Sequence, residues 1–133
     1  MTAMPGDNVQ AAPERAAERL CELSSDCRAA VLLDAAGSLA GSGNVDAERA
    51  EALAGLTREL FEAVDSADAV EPAEQVEVQV PGGAVFASRT SRWTLAAVAR
   101  RAALASLMLY DLRSVLGELE GGPPIVSREA ATG

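Results

Sequence analysis

Apolar residues recur along this chain in two rhythms, one helical and one extended. Ala16, Leu20 and Leu23 follow one another at i, i+4 and i+7, with Glu14, Arg15, Glu18, Arg19 and Glu22 on the other side, which predicts a short amphipathic helix from Pro13 to near Ser24. Ala29-Ala-Val-Leu-Leu33, Asp34-Ala-Ala-Gly37 and Ser38-Leu-Ala-Gly-Ser42 then predict an antiparallel hairpin, because Asp first and Gly fourth suit a type I turn whose glycine can continue as a bulge. Asn44 or Asp46 stands where it can cap a second helix of about twenty residues, about 30 Å long at about 1.5 Å per residue. Leu53, Leu56, Leu60 and Val64 form its stripe, widened by Ala50, Ala54, Thr57 and Phe61, and Glu48, Glu51, Arg58, Glu59 and Glu62 take the opposite arc.

Beyond an acidic connector from Asp65 to Glu74 the period changes to two. Val76-Glu-Val-Gln-Val80 reads as a strand with one wet and one buried face. Pro81-Gly-Gly83 reads as a turn, and Ala84 to Arg89 and Trp93 to Val98, joined around Thr90-Ser91, complete a meander. A last helix is predicted from near Arg101, with Leu104, Met108, Leu112, Val115 and Leu119 on one stripe and Gly121-Gly-Pro-Pro124 as its stop. The order is α-β-β-α-β-β-β-α, an α+β fold in which helices cover an antiparallel sheet. Residues 1–11 and 121–133 show no periodicity and read as flexible tails, leaving 12–120 as one domain, as the length of 133 residues also suggests.

Composition narrows the chemistry. The 11 basic residues are all arginine, the 20 acidic ones bring the net charge to −9, and histidine and lysine are absent. The charge opposes binding to a phosphate backbone, so nucleic acid is an unsuitable partner. Without histidine, the common nucleophile pairs, proton shuttle and metal ligand are missing, and without lysine no phosphate loop of the G-x-x-x-x-G-K type can form. Gly41-Ser-Gly43 does not extend to a dinucleotide fingerprint, since Asp46 stands where the third glycine belongs. The pairs Glu48/Glu51 and Glu59/Glu62 read as solvated helix surface. No catalytic, metal or cofactor site is expected. Cys21 and Cys27 are expected to be reduced structural thiols, in a cytoplasmic protein with neither a secretory signal nor a membrane span. One asymmetry stands out: residues 84–101 carry Arg89, Arg92, Arg100 and Arg101 without an acid, +4 against −13 for the remainder. Solvated strand ends account for it more simply than a docking patch does.

Ala30-Val-Leu-Leu-Asp-Ala-Ala-Gly-Ser-Leu39, the helix from Asp46, Val76-Glu-Val-Gln-Val80 and Leu107-Met-Leu-Tyr-Asp-Leu-Arg113, in this element order, together resemble the Roadblock/dynein light chain family over about Ala12 to Glu120. More narrowly they resemble the bacterial members that serve Ras-like small GTPases. The resemblance implies a profilin- or longin-like five-stranded antiparallel sheet, with the first and last helices on one face and the long helix on the other. It implies a homodimer built on the long helix and the edge strand after it, which assigns Leu53, Leu56, Leu60, Phe61, Val64, Val76, Val78 and Val80 to the interface. It further implies a non-catalytic platform that binds a small GTPase, at times beside a sensor kinase, and shifts the GTPase's switch regions. The outward helix face, Arg49, Glu51, Arg58, Glu59 and Glu62, is then the candidate partner surface. The strand pattern agrees with pairing, since Val76, Val78 and Val80 carry nothing that blocks an edge, although Glu77 opposite Glu77 would repel. The competing expectation is a small-ligand sensor, which needs a cavity with convergent polar groups. An enzyme of unfamiliar type ranks last.

Overall fold

The computed structural model describes residues 12–66 and 74–121. The expected N-terminal tail, the C-terminal tail beyond Gly121 and residues 67–73 of the acidic connector lie outside the described residues. A 3-10 turn at Pro13–Arg15 leads into α1 (Ala16–Leu23), followed by β1 (Cys27–Leu33), β2 (Leu39–Gly43), α2 (Ala47–Ser66), β3 (Gln75–Val80), β4 (Gly83–Arg89), β5 (Thr94–Arg100) and α3 (Ala105–Leu119). The predicted order of elements is the observed one. The strands form one five-stranded antiparallel sheet in the order β2-β1-β5-β4-β3.

Turn chemistry fixes the register of the β1–β2 and β3–β4 hairpins. In the β1–β2 hairpin Asp34 Oδ1 accepts from the backbone N–H groups of Ala36 and Ser38, both at 2.9 Å, and Gly37 takes a φ of 86°, open to glycine without strain. Gly37 N–H donates to the Asp34 carbonyl and Asp34 N–H to the Ser38 carbonyl, both at 2.9 Å, which makes Gly37 the expected bulge, and a second irregularity falls between Leu32 and Leu33, opposite Ala40. Between β3 and β4, Pro81 presets one position and Gly82, with a φ of 84°, the next. Gly83 is required for another reason: a Cβ there would lie 2.3 Å from the carbonyl oxygen of Ala99 on β5.

Alternation along the strands divides the interior into two layers. Ala30, Leu32, Ala84, Phe86, Leu95, Ala97 and Ala99 face α1 and α3, where they meet Leu20, Met108, Leu112, Val115 and Leu116. Val31, Leu33, Val85, Ala87 and Ala96 face α2, where they meet Ala50, Leu53, Ala54 and Phe61. The many strand alanines let helices lie close to the sheet, and each fully covered leucine or phenylalanine contributes about 1.5–3 kcal/mol. Two predicted stripe residues are corrected. Leu23 is 37% exposed at the end of α1 and Leu104 is 61% exposed just before α3, which begins at Ala105 rather than near Arg101. Gly121, with a φ of 86°, ends α3 as expected, and Gly121 N–H donates to the Glu118 carbonyl at 3.1 Å.

One ion pair ties the outer helices together. Arg19 on α1 donates through Nε and Nη2 to the two carboxylate oxygens of Glu118 on α3, at 2.8 and 3.0 Å, and the Glu118 side chain is only 3% exposed. This fork holds the Arg19 guanidinium still more firmly protonated, burial opposing it.

Candidate functional site

The long helix and the edge strand after it were the sequence-derived candidates, and the sheet brings them to the same face. Asp46 caps α2, its Oδ1 accepting from the Arg49 N–H at 2.8 Å. The helix rests over β2, β1 and β5. Its deepest line is Ala50, Leu53, Ala54, Thr57 and Phe61. The expected central stripe is therefore displaced: Leu53 and Phe61 are buried on the chain's own sheet, whereas Leu60 and Val64 are half-buried and Leu56 is 38% exposed.

Beyond the uncovered flank of α2, on the same side of the sheet, lie the valines of β3. Val76, Val78 and Val80 lie opposite Ala87, Val85 and Gly83 of β4. All three are half-buried, Val76 and Val80 packing with Leu60 and Val98 against the α2-side core. Among the described residues no strand pairs with the outer edge of β3. That edge carries the backbone groups of alternate residues. Glu74 C=O accepts from Arg89 N–H at 2.9 Å, so by antiparallel alternation Glu74, Val76, Val78 and Val80 bond toward β4, and Gln75, Glu77 and Gln79 direct their N–H and C=O outward. Glu77 and Gln79 side chains are exposed on the other sheet face and bonded to each other, Gln79 Nε2 to Glu77 Oε2, at 3.0 Å.

Of the candidate partner residues, Arg49, Glu51, Glu59 and Glu62 are exposed on α2. Arg58 is exposed too, but its Nη1 donates to the Gly37 carbonyl at 2.7 Å and braces the β1–β2 turn. Two of the four arginines of residues 84–101 are engaged, and Arg100 and Arg101 are exposed at the end of β5. Arg89 pairs with Asp65 and lies over the Phe61 ring, 4.2 Å from its centre, and Arg92 reaches Glu120 at 3.8 Å. Hydrogen bonding to Arg89 holds the Asp65 carboxyl below the usual carboxylate range. Sequence reasoning missed this brace because its partners come from separate elements.

A cleft of about 250 Å³ between the β1–β2 turn and the end of α2 is lined by Asp34, Arg58, Thr57, Asp65 and Arg89. Arg89 pairs with Asp65, Asp34 and Arg58 bond to backbone groups of the β1–β2 turn, and the buried Thr57 hydroxyl donates to the Leu53 carbonyl at 2.8 Å. A wider cleft of about 570 Å³ at the start of α2 is lined by Arg28, Asn44, Asp46, Arg49, Leu53 and Val98, its polar and charged side chains exposed. Neither holds the converging buried polar groups that a small-ligand sensor needs. Among the described residues no group of three metal-ligating side chains converges, and no helix is long and apolar enough to cross a membrane.

Comparison with known proteins gives the fold its relatives. No protein-family model matches the sequence, and no curated protein does. Among solved structures, a Roadblock/LC7 domain from Streptomyces avermitilis superposes with a TM-score of 0.72 at 21% identity, covering 81% of this chain and 94% of that one. Myxococcus xanthus MglB gives 0.69 at 17% identity over 81% and 91%. Schizosaccharomyces pombe profilin gives 0.55 at 11% identity over 82% and 97%. The chain has the Roadblock/LC7 fold, related in architecture to profilin, as the sequence resemblance implied.

Proposed function

We propose that the chain is a non-catalytic, homodimeric Roadblock-type regulator that binds a Ras-like small GTPase and influences its nucleotide state or location. The observation that carries this reading is the open β3 edge beside the half-covered apolar strip of Leu56, Leu60, Val64, Val76, Val78 and Val80. An unpaired edge with outward N–H and C=O groups and no proline or lysine is a template for another strand, and an identical strand across a two-fold axis satisfies both copies. Pairing would join two sheets into one and lay the two α2 helices side by side, with Arg49, Glu51, Glu59 and Glu62 on a shared outer surface. That surface is the proposed GTPase contact. Histidine and lysine are missing from the sequence, which supports a platform that acts by binding rather than by chemistry of its own. A sensor kinase encoded alongside would fit the same scaffold.

Light scattering on the wild type and on Val78→Arg tests the platform. The expected wild-type mass is twice 13.7 kDa, with the variant shifted to monomer. A wild type that stays monomeric at all workable concentrations would overturn the reading. The GTPase arm is tested by nucleotide exchange and hydrolysis on small GTPases encoded near this chain, where a change in either rate is expected with the wild type and lost with Val78→Arg.

A further inference from the structure

The chain's two cysteines meet where α1 turns into β1. Cys21, half-buried in α1, and Cys27, the first residue of β1 and 7% exposed, are both free thiols with their sulfurs 3.2 Å apart. The approach is held on several sides. Ser24 N–H donates to the Leu20 carbonyl at 2.9 Å, Cys27 N–H to the Ser24 carbonyl at 3.2 Å, and Arg100 N–H on β5 to the Asp26 carbonyl at 3.0 Å. The Ser24 hydroxyl donates to Met108 Sδ at 3.2 Å, fixing the turn against α3. A structural role explains one buried thiol, but not two sulfurs in contact.

We propose that Cys21 and Cys27 form a reversible dithiol–disulfide site, oxidised by a low-molecular-weight disulfide, that clips the end of α1 to the start of β1. Closing the bond moves the sulfurs together by about 1 Å, to the usual length of about 2.05 Å. The two thiols have different tasks. Cys21 is the more accessible, and hydrogen bonding from Cys27 pulls its thiol toward ionisation, against burial and the negative charge of Glu18 and Glu22. Cys27 is pushed the other way by that same bond, by burial and by the charge of Cys21, with Asp111 adding to the effect.

The Cys21 thiolate attacks one sulfur of the incoming disulfide, breaking its S–S bond, forming a mixed disulfide and expelling one thiolate. Cys27 then gives its proton to solvent and attacks the Cys21 sulfur, expelling the second thiolate. In balance, two protein thiols and one small disulfide become one protein disulfide and two small thiols. Two electrons pass to the small disulfide, and excess thiol reverses the exchange. In a reducing compartment such a pair closes only when the thiol pool becomes oxidised, which is how intracellular disulfides act in sensing. The clip lies on the α1/α3 side of the sheet, away from the β3 edge, so its test stands apart from that of the dimer.

Reduced protein is incubated with oxidised glutathione, quenched with an alkylating reagent and weighed intact. The expected product is a single chain lighter by two hydrogens, carrying no alkyl group and restored by dithiothreitol. Cys27→Ser should retain one glutathione on Cys21. Cys21→Ser should react at least about tenfold more slowly than Cys27→Ser, its remaining thiol being buried. The wild-type result decides the proposal without the variants: stable glutathione adducts, chain-to-chain disulfides, or thiols left unreacted under conditions that oxidise the guanidinium-unfolded chain would each overturn it.

Discussion

Single side chains decide stability here mostly where charge is buried. Glu118 is nearly covered and faces Arg19, so replacing the arginine leaves a carboxylate out of water without its fork. Arg19→Met is expected to cost about 2 kcal/mol, less than a fully buried pair because Arg19 is partly exposed, and Arg19→Met/Glu118→Met should recover much of that loss. Urea denaturation of the two variants checks both outcomes. Asp111 offers a test with a sign. Burial raises its carboxyl pKa in the folded chain, so the folded state binds its proton more tightly than the unfolded state does. The stability this provides is complete below the unfolded carboxylate pKa of about 4 and disappears as pH rises through the folded value. Asp111→Asn should accordingly melt higher than wild type at pH 7, with the gain shrinking on acidification toward pH 4, as read by thermal denaturation. Neither role was legible in the sequence, where Arg19, Asp111 and Glu118 look like ordinary helix-surface charges. The cysteine contact was equally hidden, because C-x5-C spacing says nothing until the chain is known to reverse between the two residues.

Whole elements were far more legible, and their errors fall at helix edges. The type and order of the helices and strands followed from period, caps and turn residues, down to the Asp34–Gly37 turn, while the choice of Asp46 over Asn44 as the α2 cap came only with the structure. The stripe on α2 was misjudged because an apolar arc seen in sequence has no zero of rotation. The sheet selects its Ala50, Leu53, Ala54, Thr57 and Phe61 side and leaves Leu56 open. Leu23 and Leu104 keep the helical period but stand at helix ends, exposed although their stripes are covered. Two substitutions probe the elements themselves. Asp46→Ala removes the acceptor for the Arg49 N–H and is expected to cost about 1 kcal/mol. Gly117→Ala, inside α3 where an added Cβ meets nothing within 4 Å, should stabilise the fold by about 0.5–1 kcal/mol. Paired denaturant titrations should move in opposite directions; a destabilised Gly117→Ala would mean that a neighbour crowds Gly117 on α3.

At the scale of the assembled molecule, the proposed dimer must bring together two chains of net charge −9 along a strand that carries Glu77. Side-chain alternation and two-fold symmetry leave few registers, because directly opposed residues in antiparallel strands share a face and the axis must therefore pass through a residue. With the axis at Glu77, the two Glu77 carboxylates oppose each other and repel. With the axis at Val78, Val78 meets Val78, Val76 meets Val80, and each Glu77 faces Gln79 of the mate. Within one strand Gln79 already donates to Glu77, so the second register replaces a repulsion with a compatible pair and aligns all three valines. Val78 bonds inward to β4, so its meeting with its mate is the closer, non-hydrogen-bonded kind, with Cα atoms about 4.5 Å apart and within the span of a disulfide. In a background with Cys21 and Cys27 changed to serine, Val78→Cys should therefore crosslink the dimer readily under mild oxidation, and Glu77→Cys should do so poorly. Non-reducing electrophoresis reads the outcome. The reverse preference would place the axis at Glu77, and equal, slow crosslinking of both would mean that β3 is not the edge that pairs.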